Sequence, residues 1–187
     1  MKERANTNNR LRVRRVAIGL FCILGASIGA WLIASHRQES GELLAGMTAD
    51  RIVVEKSARK LSVYRNGKVC KVYRIALGRA PIGAKQQEGD IKTPEGHYTI
   101  DYRNPNSDFH LALHISYPSP DDQARAAARG LSAGGDVMIH GVPNGSDWIG
   151  SLHRQKDWTA GCIALTDQEI EELWQVVPDG TPIEIAP

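Results

Sequence analysis

Cysteine is scarce in this chain. Its 187 residues hold three, Cys22, Cys70 and Cys162. Disulfide scaffolds carry a denser and usually even set, so such a fold is excluded as the main source of stability. A Cys70–Cys162 bridge is the one alternative that an oxidising compartment would allow. No Cys-x-x-Cys occurs, and a thioredoxin-like redox role has no support. Net charge is also small, +2 at pH 7. Six basic residues against Glu3 place +5 in the first fifteen positions, so the remaining chain carries −3. No basic surface is left to suggest nucleic acid as a partner. Internal repeats and low-complexity tracts are absent too.

What the chain does have begins at its N-terminus. Residues 1–15 form a basic tail, and Val16 to Ala34 carries no charge. As a helix that run would extend about 28 Å, close to the hydrocarbon thickness of a bilayer. The arginines before it predict a cytoplasmic tail and an exported C-terminal side. We expect a transmembrane anchor over 16–35. A cleavable signal is the rival, but the run is long and Leu32 spoils a small-x-small exit. Residues 36–49 read as a polar linker and 50–187 as one catalytic domain.

Strand signals dominate that domain. Ile52-Val53-Val54 opens it. Two alternating runs, Leu61 to Tyr64 and Val69 to Ala76, flank Asn66-Gly67, a strong short hairpin signal. Tyr98 to Ile100, Phe109 to Ile115, Val137 to Ile139 and Ile183 to Ile185 read as further strands. Asp121 to Arg129 is alanine-rich and predicts a helix ended by Gly130. Thr166-x-x-Glu169 is a capping box, and Ile170, Leu173, Trp174 and Val177 then fall on one helical face. Periodicity therefore predicts a mostly β domain with two helices, an α+β class.

The chemistry-bearing residues are Cys162 and His140. A thiol becomes nucleophilic when it loses its proton, and a nearby imidazole can take it. Gly161 frees the backbone before the cysteine, so the amides of Gly161 and Cys162 could face a developing oxyanion. Gly141 leaves space beside the histidine ring. The bland alternatives are a buried cysteine and a structural histidine. His110 and His114 sit four apart on an alternating run. On a strand they lie about 13 Å apart, too far for one metal ion, so we expect no metal.

Several stretches together resemble a known family, the YkuD-like L,D-transpeptidases. They are Lys92-Thr93-Pro94-Glu95-Gly96-His97-Tyr98, Phe109 through Pro118, Ile139-His140-Gly141, and Asp157-Trp158-Thr159-Ala160-Gly161-Cys162-Ile163-Ala164-Leu165. The resemblance implies a sandwich or barrel-like β domain and a cysteine acyltransferase of peptidoglycan stem peptides. It implies no cofactor. Cys162 is then the nucleophile, His140 the base, and the Gly141 carbonyl the group that orients the ring. Gly161 and Ala160 shape the turn before the nucleophile. Arg154, His153, Tyr117 and Thr159 are the substrate-binding candidates. Trp148 and Trp158 could wall a groove or pack the loop down.

Ala160 and Ala164 depart from the family's commoner residues, a histidine before the Gly-Cys pair and an arginine or asparagine two after the cysteine. The departures bear on substrate preference more than on the chemistry. Implied partners are stem peptides, an amine on another stem or on a protein as acceptor, and the membrane. The implied location is the cell envelope, on the outer side of the inner membrane. Use of water as acceptor, as in a carboxypeptidase or amidase, and a non-catalytic wall-binding module stay open at this point.

Overall fold

Eight strands of this computed structural model follow one another in a single sheet, in the order β3-β2-β1-β8-β4-β5-β6-β7. The structure describes residues 46–187; the expected transmembrane span and most of the expected linker lie outside them. No helix of the described residues is long and apolar enough to cross a membrane. The strands are β1 (Arg51–Glu55), β2 (Lys60–Arg65), β3 (Lys68–Arg74), β4 (Gly96–Ser107), β5 (His110–Ile115), β6 (Met138–His140), β7 (Ile163–Ala164) and β8 (Pro182–Ala186). The Asn-Gly hairpin forms as its sequence dictates. Asn66 and Gly67 take φ of 52° and 72°, and Arg65 pairs with Lys68 across a two-residue loop. Positive φ at both central residues matches the right-handed twist of the strands.

One continuous sheet replaces the two-sheet sandwich that was one expectation, and β4 explains how. Only Tyr98 to Ile100 carries a clear strand signal, yet the strand runs for twelve residues. Its first part pairs with β8 and its second with β5, and the register shifts between Ile100 and Tyr102. A bulge bends and twists a strand locally. β4 therefore turns the sheet from its β1–β3 side toward its β5–β7 side.

Helix α1 (Pro120–Ala127) has Ser119 as its cap, and α2 (Asp167–Val176) has Thr166; both caps are reciprocal, with Asp122 and Glu169 reaching back. A third helical segment, a kinked 3₁₀ stretch at Asp147–Gln155, was not foreseen. It has no buried residue and no side-chain cap, so neither periodicity nor capping announces it. Ile170, Leu173 and Val176 of α2 are buried, and the helix packs on β5 and β6. Leu113, Ile115, Ile139, Ile163 and Leu165 join them in the core. That packing fixes the two short strands that carry the candidate site.

Candidate active site

Strands β6 and β7 run parallel, with Ile139 opposite Ile163 and His140 opposite Ala164. Cys162 lies one residue before β7, and the parallel register extended by that residue sets it beside Met138, two positions from His140. Twenty-two positions of sequence separation thus become two neighbouring strand ends. Neighbouring backbone clamps β7 from its other side: Ala76 bridges to Ala164 and Gly78 to Thr159.

The histidine is held in one tautomer. Its Nδ1 lies 2.7 Å from the Gly141 carbonyl oxygen, which can only accept. Nδ1 therefore carries the proton and Nε2 presents a lone pair. Phe109 packs on the ring at 4.5 Å between centroids, and Trp158 approaches edge-on at 5.7 Å. Burial lowers the His140 pKa below its ordinary value, opposed by the Gly141 hydrogen bond. Gly141 itself cannot be larger. A Cβ there would run into the Asp167 carboxylate and lie 3.0 Å from the Phe109 carbonyl oxygen. Asp167 holds the next amide, Val142, at 2.9 Å.

The thiol rests in a different direction. Cys162 Sγ donates to the Asp136 carbonyl at 3.6 Å, and among the described residues no hydrogen bond joins it to the imidazole. Asp136 has φ of 53°, uncommon outside glycine, and so belongs to a tightly constrained turn. Burial pushes the Cys162 thiol above its ordinary range. Both shifts favour the uncharged forms of the two groups. Hydrogen bonds of a catalytic pair often tighten only when substrate is bound. Cys70 and Cys162 are both free thiols.

The turn before the nucleophile differs from expectation in one respect. Gly161 has φ of +139°, and a Cβ would lie 2.7 Å from the Lys92 carbonyl oxygen, so glycine is required on both counts. Its N–H, however, donates to Thr159 Oγ1 at 3.1 Å. It is therefore not free to meet an oxyanion. The same hydroxyl donates to the Cys162 carbonyl at 2.8 Å. Thr159 is a 4% exposed brace of the turn rather than a substrate contact. The Cys162 N–H has no partner among the described residues. Ala160 sits exposed between them.

Three other expected substrate contacts are engaged elsewhere. Tyr117 is 2% exposed, and its hydroxyl donates to the Ala133 carbonyl at 2.9 Å, which makes it a core residue. Arg154 pairs with Glu169, whose carboxylate also closes the cap of α2. The arginine ties the 3₁₀ segment to that helix instead of facing a substrate carboxylate. His153 Nδ1 accepts from the Trp158 indole at 3.3 Å, so its proton sits on Nε2, which is buried without a partner. Burial drives its pKa down to about 4. Of the two tryptophans, Trp158 packs against His140 and His153, whereas Trp148 is 77% exposed. Trp158, Val142, Ile149 and Leu152 line an apolar cavity of about 330 Å³ beside the site. His110 contacts Glu171 at 2.8 Å, and His114 contacts Asp101 at 2.6 Å while stacking on Tyr102.

Several supporting residues escaped sequence reasoning. Asp157 accepts three hydrogen bonds from the Arg59 guanidinium and one from the Leu77 amide at 2.9 Å, anchoring the approach to the turn. Lys56 is 2% exposed and reaches Glu95, Gly83 and Thr93. Thr93 in turn accepts from the Gly78 amide at 3.0 Å. Charged residues of this kind look like solvated surface in a sequence. The Lys-Thr-Pro-Glu stretch and the stretch that opens at Asp157 mark part of the network in the sequence.

A family model described as the L,D-transpeptidase catalytic domain matches residues 49–185. YafK of Escherichia coli (strain K12), a candidate L,D-transpeptidase by its name, is 30% identical over 132 residues, which are 67% of this chain and 46% of that protein. YqjB of Bacillus subtilis (strain 168), a candidate of the same kind, is 29% identical over 72% of this chain and 69% of its own length. Among solved structures, the helical cell shape determining protein Pgp2 from Campylobacter jejuni, as its K307A mutant, aligns with a TM-score of 0.56 and 30% identity, covering 75% of this chain and 47% of that one. Bd1075 of Bdellovibrio bacteriovorus aligns with a TM-score of 0.52 and 28% identity, over 75% and 49%. The chain spans just under half the length of YafK, Pgp2 and Bd1075.

Proposed function

Because the chain belongs to the L,D-transpeptidase catalytic-domain family, we propose that it is a peptidoglycan L,D-transpeptidase working through a cysteine thioester. The observation that supports this reading is the pairing of β6 with β7, whose ends bring His140 and Cys162 into neighbouring segments, together with the Gly141 carbonyl that holds the ring so that Nε2 is free to accept a proton. His140 takes the thiol proton during attack, or holds it beforehand as a thiolate–imidazolium pair. As Cys162 Sγ turns from Asp136 and attacks the stem-peptide carbonyl, His140 Nε2 takes the thiol proton. The Cys162 N–H supports the oxyanion. Collapse of the tetrahedral species breaks the amide bond, and His140 returns the proton to the departing amine of the D-residue. A thioester remains on Cys162. An amine of another stem, or of a protein, then attacks it, His140 accepts the amine's proton, and the thiol is regenerated.

The likeness to Pgp2 extends the reading to a role in cell shape. We also propose that the domain stands outside the cytoplasm, held by the apolar segment at 16–35 as a membrane anchor. The intact mass of membrane-purified protein tests the anchor, since a cleaved leader would remove more than thirty residues.

The acceptor is tested by incubating the full chain with purified stem peptides and following products by mass spectrometry. Cross-linked dimers support transpeptidation. Trimmed monomers alone would replace it with hydrolysis through the same thioester. No product from either route would leave a wall-binding module.

A further inference from the structure

A second imidazole stands on the sheet face that carries His140. Strand β5 pairs with β6 so that Ala112 lies opposite His140 and His114 opposite Met138. Leu113, Ile115 and Ile139 turn into the core. Side chains alternate along a strand, so His114 and His140 both leave the other face. They are diagonal neighbours on adjacent strands, about 7–8 Å apart. His114 Nδ1 lies 2.6 Å from Asp101 Oδ1. An ionised carboxylate can only accept, so Nδ1 carries the proton and Nε2 presents a lone pair. The ring stacks on Tyr102 at 4.3 Å between centroids and 16° between planes. The His114 side chain is 12% exposed and that of Asp101 41%. The pair is a fixed base with an exit to solvent, and the reaction through His140 leaves it unused.

The thiol rests against the strand that lies between. Met138, the residue opposite His114, offers its amide to Cys162 Sγ, and Sγ donates to the Asp136 carbonyl two residues earlier. Directly opposed residues of an antiparallel pair stand about 4.5–5.5 Å apart. One strand spacing and one hydrogen bond therefore separate the His114 backbone from the sulfur. Few titratable groups face this ring. Asp101 and Tyr102 come from β4, and Asp136 from the turn before β6. Burial, and then the charges of Asp136 and Asp101, push the Tyr102 hydroxyl above its ordinary range, which sets both acids beside the stacked pair. Two other histidines are engaged elsewhere: His110 meets Glu171 on α2, and His153 Nδ1 accepts from the Trp158 indole. The turn before the nucleophile, Asp157 to Gly161, holds no histidine.

Transfer to an amine leaves one proton over. An alkyl amine is protonated at pH 7, with on the order of one molecule in a thousand free. An ammonium group must shed two protons to become an amide nitrogen, and His140 carries only one of them to the sulfur. We propose that His114, oriented by Asp101, takes the other, as a second general base that deprotonates the acceptor before it attacks the thioester. The proposal rests on the acyl-transfer reading. The first ammonium proton goes to His114 Nε2, directly or through one water. The lone pair so freed forms the C–N bond, and the C–S bond breaks. The second proton passes through His140 to the leaving sulfur, and the third stays on the amide. His114 then holds its charge beside the Asp101 carboxylate until solvent takes the proton.

The test follows the two half-reactions on the full chain at pH 7. A stem tetrapeptide loads Cys162, and intact mass reads the thioester. Nα-acetyllysine or hydroxylamine is then added, and the amide or hydroxamate product is timed. The lysine side chain is an ammonium at this pH, whereas hydroxylamine is uncharged and needs no second base. In His114→Gln, transfer to Nα-acetyllysine should fall about 100-fold, and transfer to hydroxylamine by less than about threefold. Asp101→Asn should show the same selective defect in smaller degree. The defect toward the lysine should shrink as the pH is raised to about 9, because more of the acceptor arrives already neutral. Equal slowing toward both nucleophiles would reduce His114 to a structural support and overturn the proposal. Transfer to the lysine at the parent rate in His114→Gln would overturn it as well, as would a parent thioester that never passes to an amine. In those cases the thioester on Cys162 still stands. A parent chain that forms no thioester brings down the acyl-transfer reading and the second base together.

Discussion

Replacing Thr159 with valine keeps the shape of a buried side chain and deletes one oxygen. That oxygen carries two bonds: it accepts from Gly161 N–H at 3.1 Å and donates to the Cys162 carbonyl at 2.8 Å. Both partners flank the nucleophile, and the site is only 4% exposed. A buried donor left without a partner costs about 1–3 kcal/mol, so Thr159→Val should destabilise by roughly 2 kcal/mol once partial relaxation is allowed. For a domain of this size that corresponds to a fall of about 4–8 °C in melting temperature. The catalytic effect should be larger than the stability effect. The bond pair sets the turn, and misplacement by about 1 Å can cost on the order of 100-fold in rate. Thr159→Ser retains the oxygen and should recover most of both losses. The assay is urea denaturation beside single-turnover thioester formation on a stem tetrapeptide. A valine variant as stable and as fast as the parent would refute the role given to the hydroxyl, as would a serine variant no better than valine.

Other consequences follow from the same geometry. Gly161→Ala forces a side chain into a region of positive φ and against the Lys92 carbonyl; the strain alone costs about 1–3 kcal/mol, and peptide turnover should be lost even at temperatures where circular dichroism shows the fold intact. Asp157→Ala removes the acceptor shared by Arg59 and the Leu77 amide; denaturation should show a loss of about 2–3 kcal/mol, because a hydrogen-bonded charge pair and a backbone donor lose their partner together. Stability should fall as the pH is lowered from about 6.5 toward about 4. Burial depresses the pKa of His153 to about 4 and lowers that of His140 from the ordinary 6.5, so the unfolded chain binds more protons in that window. Denaturation midpoints measured at pH 7 and pH 5 should move closer together in His153→Gln; an unchanged gap would remove His153 from the explanation.

Much of the fold is written locally. Asn66-Gly67 sets its own turn through two positive φ angles, and Thr166 with Glu169 starts α2 through a reciprocal cap. These features depend on neighbours within four residues, so a sequence displays them. The second half of β4 does not. Its polar, largely exposed residues carry no apolar alternation, and only pairing with β5 makes them a strand. The 3₁₀ segment is invisible for a related reason, since Arg154 is tied down by Glu169, fifteen residues away.

The candidate site divides in the same way. Cys162 and His140 stand out because glycines beside them mark tight backbone. The positive φ at Gly161 and the close packing at Gly141 bear out that signal. The roles of Thr159, Tyr117 and Arg154 are less legible, because side-chain partners decide them. A threonine beside a Gly-Cys turn reads equally well as a substrate contact or as a brace. Only the position of Oγ1 between two backbone groups distinguishes the two. Lys56 and Lys85 were missed outright, because burial of a lysine depends on acids contributed by distant segments or later turns.

Intact-mass spectrometry of rapidly quenched protein with a stem tetrapeptide tests the central claim most directly. An acyl adduct should appear on Cys162 within the first turnover. It should be absent in Cys162→Ala and should form at least about 100-fold more slowly in His140→Ala, which lacks the base. Product release from the unsubstituted chain with no adduct at Cys162, undiminished in both variants, would contradict the account.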